Sequence, residues 1–104
     1  MAVSNLDEKL KLVPARPGVY LMKDSGGRVI YVGKAAALRN RVRQYFQEGG
    51  HLASPRIRHL MSRIADFEVI ACNNEVEALI LETNLIKRHR PLYNVRMADD
   101  KAFP

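Results

Sequence analysis

The chain has 104 residues, 47% of them hydrophobic and 27% charged, which bounds it to one domain with a modest core. A formal net charge of +6 suits an anionic partner, a nucleic acid first among them. No apolar run reaches the roughly 18 residues of a membrane span, the first residues carry no signal-type pattern, and a lone cysteine, Cys72, excludes an internal disulfide framework and fits a reducing cytosol.

Residues 5–12 read as a short helix stopped by Pro14 and Pro17. Two β-prone tripeptides follow, Gly18-Val19-Tyr20 and Tyr31-Val32-Gly33, separated by the turn-rich Asp24-Ser25-Gly26-Gly27-Arg28. A hairpin closing on Lys23 and Arg28 sets Tyr20 opposite Tyr31 and Gly18 opposite Gly33, all on one face. Val19, Leu21, Ile30 and Val32 take the other face, which reads as core. The two phenols then lie on a non-core face, where they look like part of a site.

Past Lys34, residues 35–46 carry apolar side chains at Leu38, Val42, Tyr45 and Phe46. That spacing of i, i+4, i+7 and i+8 predicts an amphipathic helix. Gly49-Gly50 breaks it, and Pro55 opens another helix through Ile57, Leu60, Met61 and Ile64. Residues 67–71 read as a third strand, with Cys72 as a buried, inert thiol. Asn73 or Asn74 caps a long helix to about His89, with Glu77 as the capping-box partner of Asn74 and Pro91 as the stop. The tail from Leu92 to Pro104 is short and polar. The fold class is therefore α+β, a small three-stranded antiparallel sheet flanked by helices. An end at Phe103-Pro104, with no closing element, reads as the N-terminal piece of a longer chain.

Glu82 is the second signal. Ala78, Leu79, Leu85 and Ile86 lie three or four residues from it, which sets a carboxylate amid an apolar stripe. Such a group needs an ion partner, a metal or a raised pKa, and a structural salt bridge to an arginine answers the same need. Glu75 and Glu77, in the first turn, answer to the helix dipole and need no function. Arg39 and Arg43 project together as a solvated face or a nonspecific phosphate contact. Arg41 points about 200° around the helix from Arg39, sharing a face with Tyr45, and a guanidinium matches phosphate bidentately. Lys34, just before a helix N-terminus, occupies a natural anion site. The basic run Lys87-Arg88-His89-Arg90 is explained by the helix dipole. His51, His59 and His89 lack ligand spacing, and no P-loop, zinc or EF-hand pattern is present.

Taken in order, these residues resemble the GIY-YIG nuclease family. The ordered set is Gly18-Val19-Tyr20, Tyr31-Val32-Gly33-Lys34, Arg41, Tyr45, Leu81-Glu82-Thr83-Asn84-Leu85-Ile86-Lys87 and Arg90-Pro91-Leu92-Tyr93-Asn94-Val95. Within that family the chain is most similar to the N-terminal domain of the UvrC family of bacterial nucleotide excision repair. Pro17-Gly18-Val19-Tyr20, Ile30 to Ala35, Glu77 to Glu82 and Tyr93-Asn94 carry this closer likeness. Ala36-Ala37, where the family usually has another basic residue, and the loop Gly49-Gly50-His51 depart from it.

The resemblance implies a single GIY-YIG catalytic domain over residues 1–104 that hydrolyses one phosphodiester bond 3′ to a DNA lesion. It implies Mg2+ or Mn2+ held by Glu82, Arg41 on the phosphate, and Tyr31 to orient or deprotonate the attacking water with help from Lys34. Tyr20, Tyr45 and Asn94 then position groups or water. Lys34, Arg39, Arg41 and Arg43 contact double-stranded DNA. The implied partner is UvrB, with UvrA upstream, engaged through parts absent from this chain. The implied setting is the bacterial cytoplasm, with no membrane and a monomeric isolated domain. A non-catalytic nucleic-acid-binding module is the alternative, but it gives Glu82 no purpose. A purely structural domain leaves the order of the motifs unexplained.

Overall fold

The computed structural model describes residues 8–46 and 55–94, with the side chains of 55–57 left aside. The expected break at Gly49-Gly50, the Ile57 side chain and the tail beyond Asn94 lie outside the described residues. The elements are α1 (8–12), β1 (Gly18–Lys23), β2 (Val29–Ala35), α2 (Leu38–Phe46), α3 (Pro55–Arg63), β3 (Asp66–Ala71) and α4 (Glu75–His89), and a helical turn covers 92–94. The three strands form one antiparallel sheet, as the pattern predicts, and their order is β2-β1-β3.

The β1–β2 register differs from expectation by two residues. Tyr20 pairs with Gly33, Gly18 with Ala35 and Met22 with Tyr31. Two local causes add up. The turn closes one residue later, because Asp24 and Arg28 bond through their backbones at 3.0 Å and Lys23 pairs with Val29. A bulge then adds one residue on β2 at Ile30. The Asp24 carboxylate holds this turn by accepting from the backbone N–H groups of Gly26 and Arg28, and Gly27 supplies the positive φ of 84°. Because two single-residue shifts restore the alternation, Tyr20, Tyr31, Gly18 and Gly33 still share a face.

That face is not the non-core side. It carries the larger core, in which Tyr20, Met22, Ile30 and Ala35 meet Leu38, Val42 and Tyr45 of α2, Leu60 of α3, Val13, Phe67 and Tyr93. The bulge is why Ile30 belongs here and not with Val19 and Val32. The second core, beneath α4, joins Val19, Leu21, Val32, Cys72 and Ala78, with Leu81, Leu85 and Ile86 packed against it. Both sheet faces are thus covered, and each fully buried large side chain contributes about 1.5–3 kcal/mol.

α2 begins at Leu38 rather than Ala35, which is still in β2, and it buries Leu38, Val42 and Tyr45 as the stripe predicts. The caps of α4 use both asparagines. Asn74 Oδ1 accepts from Glu77 N at 2.8 Å, while the Glu77 carboxylate accepts from the backbone and side-chain amides of Asn73. Arg90 closes the helix in the left-handed conformation, immediately before Pro91.

Candidate active site

β2 is an edge strand, and the site gathers along its length. Tyr20 and Tyr45 are almost fully buried at 3% and 4% exposure, and Tyr31 is half-buried beside them. The three rings form a triangle with centroids 5.5, 6.2 and 6.5 Å apart. The Tyr20 and Tyr45 hydroxyls share a hydrogen bond of 3.1 Å.

Gly33 explains how the cluster fits. A Cβ at Gly33 would lie 2.5 Å from Cζ of Tyr20 and closer still to its hydroxyl, so the Tyr20 phenol occupies the space a side chain would fill. Gly18 has a different reason to be glycine. There a Cβ would meet the Ile70 carbonyl oxygen and Leu38 Cδ1, where β3 and α2 close over the strand. Sequence reading placed both glycines but missed these roles, because the Tyr20–Gly33 pairing appears only in the correct register.

Electrostatics tie two further elements to the triangle. The Arg41 guanidinium favours the ionised form of all three tyrosines, which places the charge of α2 beside them. From the opposite face of the sheet, the Glu82 charge opposes ionisation of Tyr31. Glu82 lies within the packed stripe of α4, between Ala78 and Ile86, but off its centre. The packed positions are Ala78, Leu81, Leu85 and Ile86, centred about 50° to one side of it, and Leu79 turns outward with 48% exposed. The carboxylate is therefore half-buried and within reach of solvent.

Burial is the first cause that pushes each of these phenols above the ordinary tyrosine value of 10.0; for Tyr20 and Tyr31 the neighbouring Tyr45 adds to it. All three keep their protons at neutral pH and act as hydroxyls. A raised folded-state value means that the neutral form stabilises the fold fully below about pH 10. That stability is lost as pH rises past 10 toward the folded-state values. Ultraviolet titration should therefore show Tyr20 and Tyr31 still protonated at pH 11 until the chain unfolds, with Tyr45 ionising above its ordinary range. Ordinary ionisation of these three in the folded chain would refute the buried cluster.

Asn94 does not point a free amide into the site. Its Oδ1 accepts from Val32 N at 2.7 Å and its Nδ2 donates to Val32 O at 2.9 Å, so it clamps the backbone of β2 along the outer edge. The residue before it, Tyr93, reaches His59 Nδ1 of α3 with its hydroxyl at 2.7 Å. Lys34 is exposed within β2, opposite Val19, and does not precede a helix N-terminus. Arg39 and Arg43 lie together on the other side of α2 and line a common pocket.

No group of three or more His, Cys, Asp or Glu side chains able to hold a metal occurs among the described residues. This does not fit a closed zinc site. It does fit a hard cation that keeps most of its water and takes one carboxylate.

A hairpin with Gly18, Tyr20, Tyr31 and Gly33 on one face, Arg41 on the following helix and Glu82 on the last helix follow the order of the GIY-YIG pattern. The chain belongs to the UvrC-like GIY-YIG domain family, whose sequence profile matches residues 16–95. It is similar to UvrABC system protein C of Moorella thermoacetica, with 60% identity over 100 residues, covering 96% of this chain and 16% of that protein. The same protein of Gloeobacter violaceus is 56% identical over 95% of this chain and 16% of its own length. The chain thus spans about a sixth of the length of these relatives. Among solved structures it resembles the GIY-YIG N-terminal endonuclease domain of UvrC from Thermotoga maritima, bound to its catalytic divalent cation, magnesium. That match has a TM-score of 0.72 and 39% identity, covering 86% of this chain and 94% of the other.

Proposed function

We propose that the chain is a metal-dependent DNA endonuclease domain of nucleotide excision repair, hydrolysing one phosphodiester bond on the 3′ side of a lesion. The observation that carries this reading is the meeting of Arg41, the tyrosine triangle and Glu82 at the edge of β2. The magnesium-bound Thermotoga domain of the same fold supports it.

Glu82 holds Mg2+ or Mn2+ in this reading. When bound, the cation acidifies water and stabilises charge on the leaving 3′-oxygen. Arg41 grips the non-bridging oxygens and strengthens its hold as charge builds on the phosphate. Tyr31 keeps its proton, so its hydroxyl orients the attacking water and does not take the water's proton. Tyr20 and Tyr45 fix the position of that ring. Asn94 is a positioning residue, acting through the backbone of β2. The new bond joins the water oxygen to phosphorus and the P–O3′ bond breaks; the attacking water gives up a proton to solvent and the leaving O3′ takes one from solvent, so the products are a 3′-hydroxyl and a 5′-phosphate.

Lys34, Arg39, Arg41 and Arg43 contact the double-stranded DNA. UvrB, following UvrA, supplies the damaged duplex through regions of the full-length protein outside this chain, and the setting is the bacterial cytoplasm. No helix among the described residues is long and apolar enough to cross a membrane.

The test is incision of a lesion-bearing duplex by the full-length protein with its UvrA and UvrB partners. EDTA should abolish the 3′ cut and Mg2+ or Mn2+ should restore it. Arg41→Ala should slow that cut by about 10²–10³-fold. A 3′ cut that ignores both EDTA and Arg41→Ala would remove the reading, whereas DNA binding with no metal-dependent cut would leave a binding module.

A further inference from the structure

We propose that the pocket between α1 and α2 seats a backbone phosphate of bound DNA, away from the bond being cut; this rests on the nuclease reading above. The pocket has a volume of about 480 Å³ and is lined by Leu10, Lys11, Arg39 and Arg43. Its three cations come from two separate segments, and none forms an ion pair with a carboxylate among the described residues. The neighbouring Lys9, by contrast, is engaged by Asp66 at 2.8 Å.

One cation, Arg39, is held before any ligand arrives. Arg39 Nε donates to Val13 O at 2.8 Å, which anchors the guanidinium while its terminal N–H groups remain as donors. The N-terminus of α2 is tied to the same segment, because Leu38 N donates to Arg16 O at 2.9 Å and Arg39 N to Pro14 O at 3.2 Å. Cations held in place lose little freedom when they bind an anion. Leu10 adds an apolar wall, and the volume accommodates more than a lone phosphate, so a nucleotide unit with its sugar fits the lining.

Geometry links this pocket to the site. Arg39 and Arg43 lie about 200° around α2 from Arg41, and a helix is roughly 10–12 Å across. Phosphates follow one another at about 3.4 Å of rise along a strand. A backbone whose cut phosphate rests at Arg41 therefore brings a phosphate about three nucleotides away within range of the pocket. α2 becomes a bar gripped by the strand on both sides.

The experiment is fluorescence anisotropy of the chain with an undamaged duplex across a series of KCl concentrations. A Lys11→Gln, Arg43→Gln double variant should bind at least about tenfold more weakly at low salt, and its slope of log affinity against log salt should be shallower by about 1. A control, Arg28→Gln with Arg58→Gln, removes the same charge from the β1–β2 turn and α3 and should change both quantities far less. Thermal unfolding should match wild type for both variants, since all four side chains are exposed. The proposal is overturned if the pocket variant binds like wild type, or if the control loses as much. Binding is read without cutting, so the two readings fail separately. An unchanged slope with normal metal-dependent incision removes only the pocket, and a weakened slope without incision removes only the nuclease.

Discussion

Glu82→Gln should abolish the 3′ cut, lowering its rate by at least about 10³-fold, while the chain keeps its fold and its affinity for duplex DNA. The size of the effect follows from the role Glu82 has in the proposed mechanism. No group of three or more His, Cys, Asp or Glu able to hold a metal occurs among the described residues, so a cation held through Glu82 would lose its charged contact in the variant. The amide preserves shape and hydrogen-bonding capacity at a half-buried position. The unfolding midpoint should therefore move by no more than about 4 °C. Affinity should hold because the DNA contacts proposed above fall on Lys11, Lys34 and the α2 arginines. Incision gels and anisotropy on the same preparation check both halves. Wild-type cutting by Glu82→Gln would sink the metal assignment.

The second large effect separates two glycines that look equivalent in sequence. Gly18→Ala should destabilise the chain by about 2–3 kcal/mol, because the new methyl collides with the Ile70 carbonyl of β3 as well as with Leu38. Backbone within a paired sheet cannot step aside. The midpoint should fall by about 10–20 °C. At Gly33 the obstacle is a side chain, the Tyr20 phenol. Gly33→Ala should consequently remain folded but displace Tyr20, breaking its bond to Tyr45 and shifting Tyr31, with a rate loss of about 10²-fold from misplacement alone. Thermal melts and incision rates on the two variants should rank them in opposite orders. Equal ranking in both assays would mean that the tyrosine packing has no bearing on the chemistry.

The fold was largely legible in the sequence. Period-2 and helical stripes identified the three strands and the main helices. Asn74, Glu77 and Pro91 marked the ends of α4. Register was less accessible, because Asp24 chose a longer turn and Ile30 a bulge, and neither leaves a distinct pattern of apolar residues. The assignment of faces failed for a related reason. Tyrosines at a site suggested an open face, yet phenols pack as well as they hydrogen-bond, and here they serve in the larger core. Leu79 was placed on the buried stripe because a wheel drawn around Glu82 cannot say where the sheet lies. That Arg41 lies on the side of α2 that carries Tyr45 was foreseeable from spacing. The clamp from Asn94 to Val32 was not, since no local pattern links residues 62 apart.

That clamp sets an order of assembly. Val32 is made 62 residues before Asn94, so during synthesis Val32 waits for its clamp until every element from β1 to α4 has been made. Tyr31, Val32 and Gly33 gain their final hold only when the segment carrying Tyr93 and Asn94 returns beside α3 and β2. A fragment that stops before Asn94 can form the hairpin and both cores, but its reactive strand is left unfastened.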